Sequence, residues 1–340
     1  MRNKINKKLI IIIFSMCLII TIMIYLLLTC FSPIAAYHFD HEELEYKEEN
    51  ISIYILPQEK ALEEMFEVIT NAKSEIHCAF RSLNHKELEE LLIEKEKNIK
   101  VRLFINSDYK GNKRIYLPFV KFDDENREGM MHNNYCIIDK NIVITGSVIF
   151  NENTIEKNLH DLLIINSNEL AKEYNTDFWT LYLGKKEKDK NTTKTQIKIN
   201  DNTFITPYFC PREDCEGQII KEINNSKEKI LFATYAFTNN NIIDSIKNNN
   251  NVKVNGLVDY YGLTEFSAPF QKVEGTTINK FVETLHTKLF TFDTETTITG
   301  TMNPTYYGAN TNEENILIIK SSKINKFYSN FINYLYEKSK

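Results

Sequence analysis

His286, Lys288 and Asp293, followed by Gly300, Thr301 and Asn303, stand in the spacing H-x-K-x4-D-x6-G-T-x-N. A phosphodiester is an anion, so attack on it needs positive charge and hydrogen-bond donors around its non-bridging oxygens. Lys288 offers a charge with three donors, and the Thr301 hydroxyl and Asn303 amide add neutral ones. An imidazole such as His286 serves near neutrality as a nucleophile when uncharged and as an acid when charged. The pattern has an echo 154 residues upstream, where His132, Asn134, Asp139, Gly146 and Ser147 keep the same internal spacing. That copy departs twice, with Asn134 in place of the lysine and Ile149 in place of Asn303. The Asn134 amide can donate to a phosphate oxygen but adds no charge, and Ser147 supplies a hydroxyl. Two histidines at a fixed offset imply one site assembled from two halves, with Lys288 carrying most of the phosphate clamp.

The elements that must position these residues repeat as well. Tyr54 and Pro57 recur as Tyr208 and Pro211, and the run at 71–76 recurs at 225–230. Asn98-Ile99-Lys100-Val101 recurs one residue out of step as Asn251-Val252-Lys253-Val254. A period this long is the size of a domain, not of a solenoid repeat. Periodicity predicts helices over 62–71 and 86–97 and strands over 76–80 and 101–105. A hairpin follows over 134–138 and 142–145, then a strand at 162–165 and a helix at 169–182. The second half repeats this plan and ends in a helix at 323–336. The expected organisation is a first α/β domain at 50–183, a polar linker at 184–202 and a second at 203–338. With 42% apolar and 26% charged residues, the chain can bury two ordinary cores. The net charge of −5 gives no global nucleic-acid signature, though a local basic patch could exist within it.

Residues 1–36 read as a separate object, a basic tail and a membrane anchor. The stretch 9–30 is apolar apart from Ser15, Thr21 and Thr29, and is long enough as a helix to cross a bilayer. Arg2, Lys4, Lys7 and Lys8 before it put the N-terminus in the cytoplasm and both domains outside. A signal peptide cut near Ala35-Ala36 is the alternative. Cys78 and Cys136 sit in apolar runs and read as core thiols. Cys210 and Cys215 could pair as a short-loop disulfide in an oxidising compartment, with free thiols as the alternative. No ligand cluster points to a metal, and no cofactor is expected.

The doubled motif resembles the phospholipase D superfamily, and the likeness covers nearly everything after Tyr54. The resemblance implies two pseudo-twofold-related α/β/α domains, a catalytic pseudo-dimer within one chain, with both histidines meeting at the interface. It also implies metal-independent phosphodiester transfer through a phosphohistidine. By family habit His132 would be the nucleophile and His286 the general acid, although the complete motif around His286 could justify the reverse. A carboxylate in the following strand holds each imidazole in that family. The resemblance implies that role for Glu314, 28 residues after His286, and for Asp161, 29 after His132. Asp139 and Asp293 are expected to brace their own domains. His38, His41, His77, His85 and His160 have no repeated partner and read as structural or surface residues. The expected substrate is a phosphodiester in DNA or RNA, with membrane phospholipid as the alternative. A phosphate- or nucleic-acid-binding pseudoenzyme is the competing class, because Asn134 replaces a lysine. Tyr260, Tyr261, Tyr306 and Tyr307 could stack bases, but are read as packing.

Overall fold

Alternation of side chains along single strands dictates how each half is layered. Along Glu75–Phe80, the residues Ile76, Cys78 and Phe80 enter one apolar core together with Met65, Ile69, Leu88 and Leu92. Those last four lie on the helices Glu59–Thr70 and Lys86–Glu96. The intervening His77 faces the other side and stacks at 4.8 Å on Phe178 of the helix Asn168–Tyr182. A strand with opposite faces against different helices gives a helix–sheet–helix sandwich. The computed structural model describes residues 44–109, 117–185, 194–260, 273–281 and 283–340. The anchor expected at 9–30 lies outside them, and among the described residues no helix is long and apolar enough to cross a membrane.

The first half contains β1 (Glu45–Glu48), β2 (Ile51–Leu56), β3 (Glu75–Phe80), β4 (Leu83–Asn84) and β5 (Lys100–Ile105). It continues with β6 (Val120–Phe122), β7 (Asn134–Ile138), β8 (Ile142–Gly146), β9 (Phe150–Asn151) and β10 (Asn158–Asn166). The main sheet runs β1-β2-β10-β8-β7-β3-β5-β6, parallel only from β3 to β6, while β4 and β9 pair separately. The second half contains β11 (Ile197–Asn200), β12 (Thr203–Cys210), β13 (Lys229–Thr234), β14 (Lys253–Val258) and β15 (Thr276–Ile278). Then come β16 (Thr284–Leu285), β17 (Lys288–Phe292), β18 (Thr296–Gly300) and β19 (Glu314–Lys320). Its sheet runs β11-β12-β19-β18-β17-β13-β14-β15, the same order with the same strand senses. The described strands and helices of both halves belong to one structural unit.

Two expectations change here. The stretch read as a linker up to residue 202 includes β11, because Ile197 and Ile199 alternate inward while Lys198 stays exposed on a strand paired with β12. Cys78 and Cys136 are not free thiols: they face each other across β3 and β7 and form a disulfide. Cys210 and Cys215 form a second one.

The β7–β8 and β17–β18 hairpins turn at Asp139 and Asp293, with φ of 52° and 49°. The Asp139 carboxylate accepts the backbone N–H groups of Lys73, Ser74 and Glu75, and Asp293 accepts those of Lys227, Glu228 and Lys229. Burial alone would raise both carboxyls, but these backbone donors outweigh it and hold them below the usual range. Each hairpin is thereby tied to the start of the neighbouring strand.

Candidate active site

Each motif histidine sits on a short segment that crosses to the other half. The strand β16 pairs in parallel with the start of β10, so the His286 N–H donates to the Leu159 carbonyl at 2.9 Å. In the mirror position Met131 bridges Glu313, and the His132 N–H donates to the Glu313 carbonyl at 2.9 Å. Both segments are held from behind by a polar side chain at the end of a parallel strand. Asn106 accepts from the Met131 N–H at 3.3 Å, and Asp259 accepts from the Leu285 N–H at 2.6 Å. The pseudo-twofold construction brings His132 and His286 together at the junction, where each is 9% exposed.

Their partners differ. His132 Nδ1 lies 2.7 Å from Glu314 Oε2 of the opposite half. His286 meets the ring of His160 edge-on, with centroids 4.8 Å apart, and the Tyr235 ring at 5.4 Å. Lys288 Nζ lies 2.9 Å and 3.3 Å from the two ring nitrogens of His286 and donates to the His286 carbonyl at 2.7 Å. Burial, against the pull of Glu314, Asp161 and Asp259, lowers Lys288 to about 7. His286 is held well below its ordinary value by burial first, then by Lys288 and the crowding of the His160 and His132 imidazoles, while the Ser147 carbonyl pulls the other way. Burial and Lys288 push His160 down to about 3, so that ring is neutral.

Asp161 does not take up the role expected of it. Its carboxylate accepts from the Ser147 N–H at 3.1 Å, from the Ser147 hydroxyl, and across the interface from the Thr299 and Tyr328 hydroxyls. The position that matches Glu314 is its neighbour His160, 28 residues after His132. Successive side chains on a strand point to opposite faces, so a one-residue slip moves the group away from the histidine. His160, read as structural, is the residue that reaches the site. Equal 28-residue spacing was the signal that pointed to it.

The expected phosphate donors also divide. The Ser147 hydroxyl accepts the Asp161 N–H, and the Thr301 hydroxyl accepts the Asn315 N–H, each at 2.9 Å. Both are therefore engaged in tying adjacent strands together. Asn134 donates to the His132 carbonyl at 3.3 Å and accepts from the Arg81 N–H at 3.2 Å, and it is buried. It copies the backbone contact of Lys288 but not its charge. Asn303 lines the cleft that opens above His132. Gly146 and Gly300 carry φ of 125° and 141°, and a Cβ on either would come within 2.3 Å of a carbonyl oxygen on the adjacent strand.

The cleft has a volume of about 950 Å³ and is lined by His132 and Asn303 together with Arg81, Arg127, Tyr235 and the Tyr306–Tyr307 pair. Arg81 and Tyr235 occupy equivalent places in the two halves, and neither stood out in the sequence because the repeat changes residue type there. Tyr306 and Tyr307 are not packing residues: they are 63% and 59% exposed. Tyr260 is exposed too, and Tyr261 lies outside the described residues.

The family described as "Cardiolipin synthase, PLD-like domain" matches residues 65–182 and again 219–336. Over 130 residues, 36% of this chain, the sequence is 25% identical to a phospholipase D of Rickettsia prowazekii (strain Madrid E), and the match spans 63% of that relative's length. The fold is similar to the crystal structure of phosphatidylserine synthase from Haemophilus influenzae Rd KW20, with TM-score 0.65, 14% identity, and 87% and 88% of the two chains covered. A smaller likeness, TM-score 0.36 at 18% identity over 41% of this chain and 97% of the other, is to Nuc, a phospholipase D family member from Salmonella typhimurium. With both repeats matched, and the histidine segments of the two halves meeting at one junction, the chain belongs to the phospholipase D superfamily.

Proposed function

We propose that this protein is a phosphodiesterase that works through a covalent phosphohistidine and takes nucleic acid as its substrate. The observation that carries the reading is the contact of Glu314 with His132 Nδ1. A carboxylate accepts, so Nδ1 bears the hydrogen and Nε2 keeps its lone pair for attack. Nε2 attacks phosphorus, the bond to the leaving oxygen breaks, and that oxygen takes a proton from His286. Water then attacks the phosphohistidine and gives its proton to His286, the P–N bond breaks, and His132 is restored. Glu314 stabilises the imidazolium character that His132 gains on phosphorylation. Lys288 and Asn303 face the phosphate oxygens in this scheme, and Arg81 supplies the charge that Asn134 lacks.

The exposed Tyr306–Tyr307 pair in the cleft supports a base-bearing substrate, since bases stack on aromatic rings. We also place the domains outside the cytoplasm on an anchor at 9–30. The two disulfides favour an oxidising compartment.

The test is the full chain in detergent, incubated side by side with bis(p-nitrophenyl) phosphate, single-stranded DNA and phosphatidylcholine vesicles. DNA cleavage abolished by His132→Ala, with phosphate trapped on His132 by mass spectrometry, is expected. Label on His286 instead would reverse the two roles. Turnover of the vesicles alone would move the substrate to phospholipid. Phosphate affinity without any turnover would leave a binding protein.

A further inference from the structure

His160 fills the register position that Glu314 fills in the other half, and the residues around both keep to the same symmetry. Asp161 and Asn315 follow them. Asp161 takes the Thr299 and Tyr328 hydroxyls, and Asn315 takes the equivalent Thr145 and Tyr174 hydroxyls, at 3.5 Å and 3.2 Å. Register is therefore intact: Asp161 and Asn315 keep equivalent partners, and at the position before them one half carries a carboxylate and the other an imidazole. His160 is fully buried and edge-on to His286, and its Nδ1–H donates to the Ser147 carbonyl at 2.9 Å.

Every element around His286 has a group to name. Lys288 comes from the start of β17, His160 from β10, the Ser147 carbonyl from just beyond β8, His132 from the opposite histidine segment and Tyr235 from the loop after β13. The nearby carboxylates have other partners: Glu314 holds His132, Asp161 holds Ser147, Thr299 and Tyr328, and Asp259 holds Leu285.

We propose that His160 is a positioning residue for His286 and that, standing where the other half has a carboxylate, it sets an imidazole and not a negative charge against His286, so that alcohol-releasing turnover is fastest below neutral pH. This rests on the phosphodiesterase reading. A ring flanked by a lysine and a neutral imidazole, in a buried site, is a poor place for a second positive charge. As pH rises, His286 loses its proton and can no longer protonate an alkoxide leaving group. A p-nitrophenolate leaves without a proton, so its release does not feel the loss.

The experiment compares pH–rate profiles of the full chain in detergent with a thymidine dinucleotide and with bis(p-nitrophenyl) phosphate. The wild type is expected to lose dinucleotide turnover above neutrality while nitrophenyl turnover holds. His160→Glu should move the dinucleotide optimum up by about one pH unit and raise its rate relative to the nitrophenyl substrate about tenfold at mildly alkaline pH. His160→Gln should leave the optimum in place. Identical profiles for wild type and His160→Glu, or equal shifts for the Glu and Gln variants, overturn the proposal. Histidine-selective NMR titration of the wild type, assigned with His286→Gln, decides the matter even if the variants do not fold. His286 still neutral at about pH 6 supports it, and a midpoint at or above the ordinary histidine value of about 6.5 overturns it. Absence of all turnover would count against the phosphodiesterase reading, while the NMR result would still judge His160.

Discussion

Glu314 and His160 hold equivalent positions, yet one presents a charge to its histidine and the other does not. That difference adds to the exchange of Lys288 for Asn134 in making the two halves of the site unequal, and it argues for His132 as the residue that carries phosphate. Glu314→Gln keeps the size of the side chain but cannot balance an imidazolium. We expect it to lower the single-turnover rate about 10²-fold or more with circular dichroism unchanged. A loss within about threefold would remove Glu314 from the chemistry. The sequence made His132, His286, Lys288 and Glu314 legible because their types and spacing are uncommon together. Asp161 has the expected residue type but the wrong spacing, one position beyond the equivalent of Glu314. On a strand the neighbouring side chain faces the other way, and an acid one position off cannot substitute.

Hairpins and their braces belong to the next scale up. Asp139 and Asp293 each hold three backbone N–H groups of a neighbouring segment, and neither lines the cleft. Asp293→Asn should tolerate the positive φ, since asparagine adopts that conformation, but it loses the charge on those hydrogen bonds. A destabilisation of about 1.5–3 kcal/mol by denaturant titration at pH 7 is expected, with KM unchanged. Because the folded carboxyl is held low, this stabilisation is present above the ordinary carboxylate range and is lost as pH falls through the folded value. The difference between variant and wild type should therefore shrink in acid. A gap that stays constant with pH would contradict the brace. Most strands and helices of the sheets were readable from alternation and helical spacing. β11 was not, since four residues with two inward isoleucines inside a polar stretch carry too little pattern. Nor could spacing alone pair Cys78 with Cys136, because that depends on β3 lying antiparallel to β7 in one register.

At the scale of the molecule, the two halves complete each other. Glu313 sits between Arg127 at 3.0 Å and Arg212 at 2.9 Å, and Arg212 also meets Asp177 of the first half. Tyr328 and Thr299 reach Asp161 just as Tyr174 and Thr145 reach Asn315. Each half expressed alone, as 44–185 or 194–340, should show no phosphodiester turnover, because His132 then lacks Glu314 or His286 lacks His132. Co-expression as two chains should restore activity that elutes at the combined size. Activity in either half alone would refute a shared site.

By itself the sequence determined that the chain is duplicated, that each copy carries a histidine motif, and that phosphodiester chemistry is the natural use of those residues. Local patterns suffice for this, because repeats and spacings are properties of the chain. Which group serves which histidine was decided only by tertiary structure. The partner of His132 is supplied by the other half, more than 180 residues away. The partner of His286 is a residue whose type gave no warning. Long-range pairing and strand register place those side chains, and neither is written in the spacing of one motif.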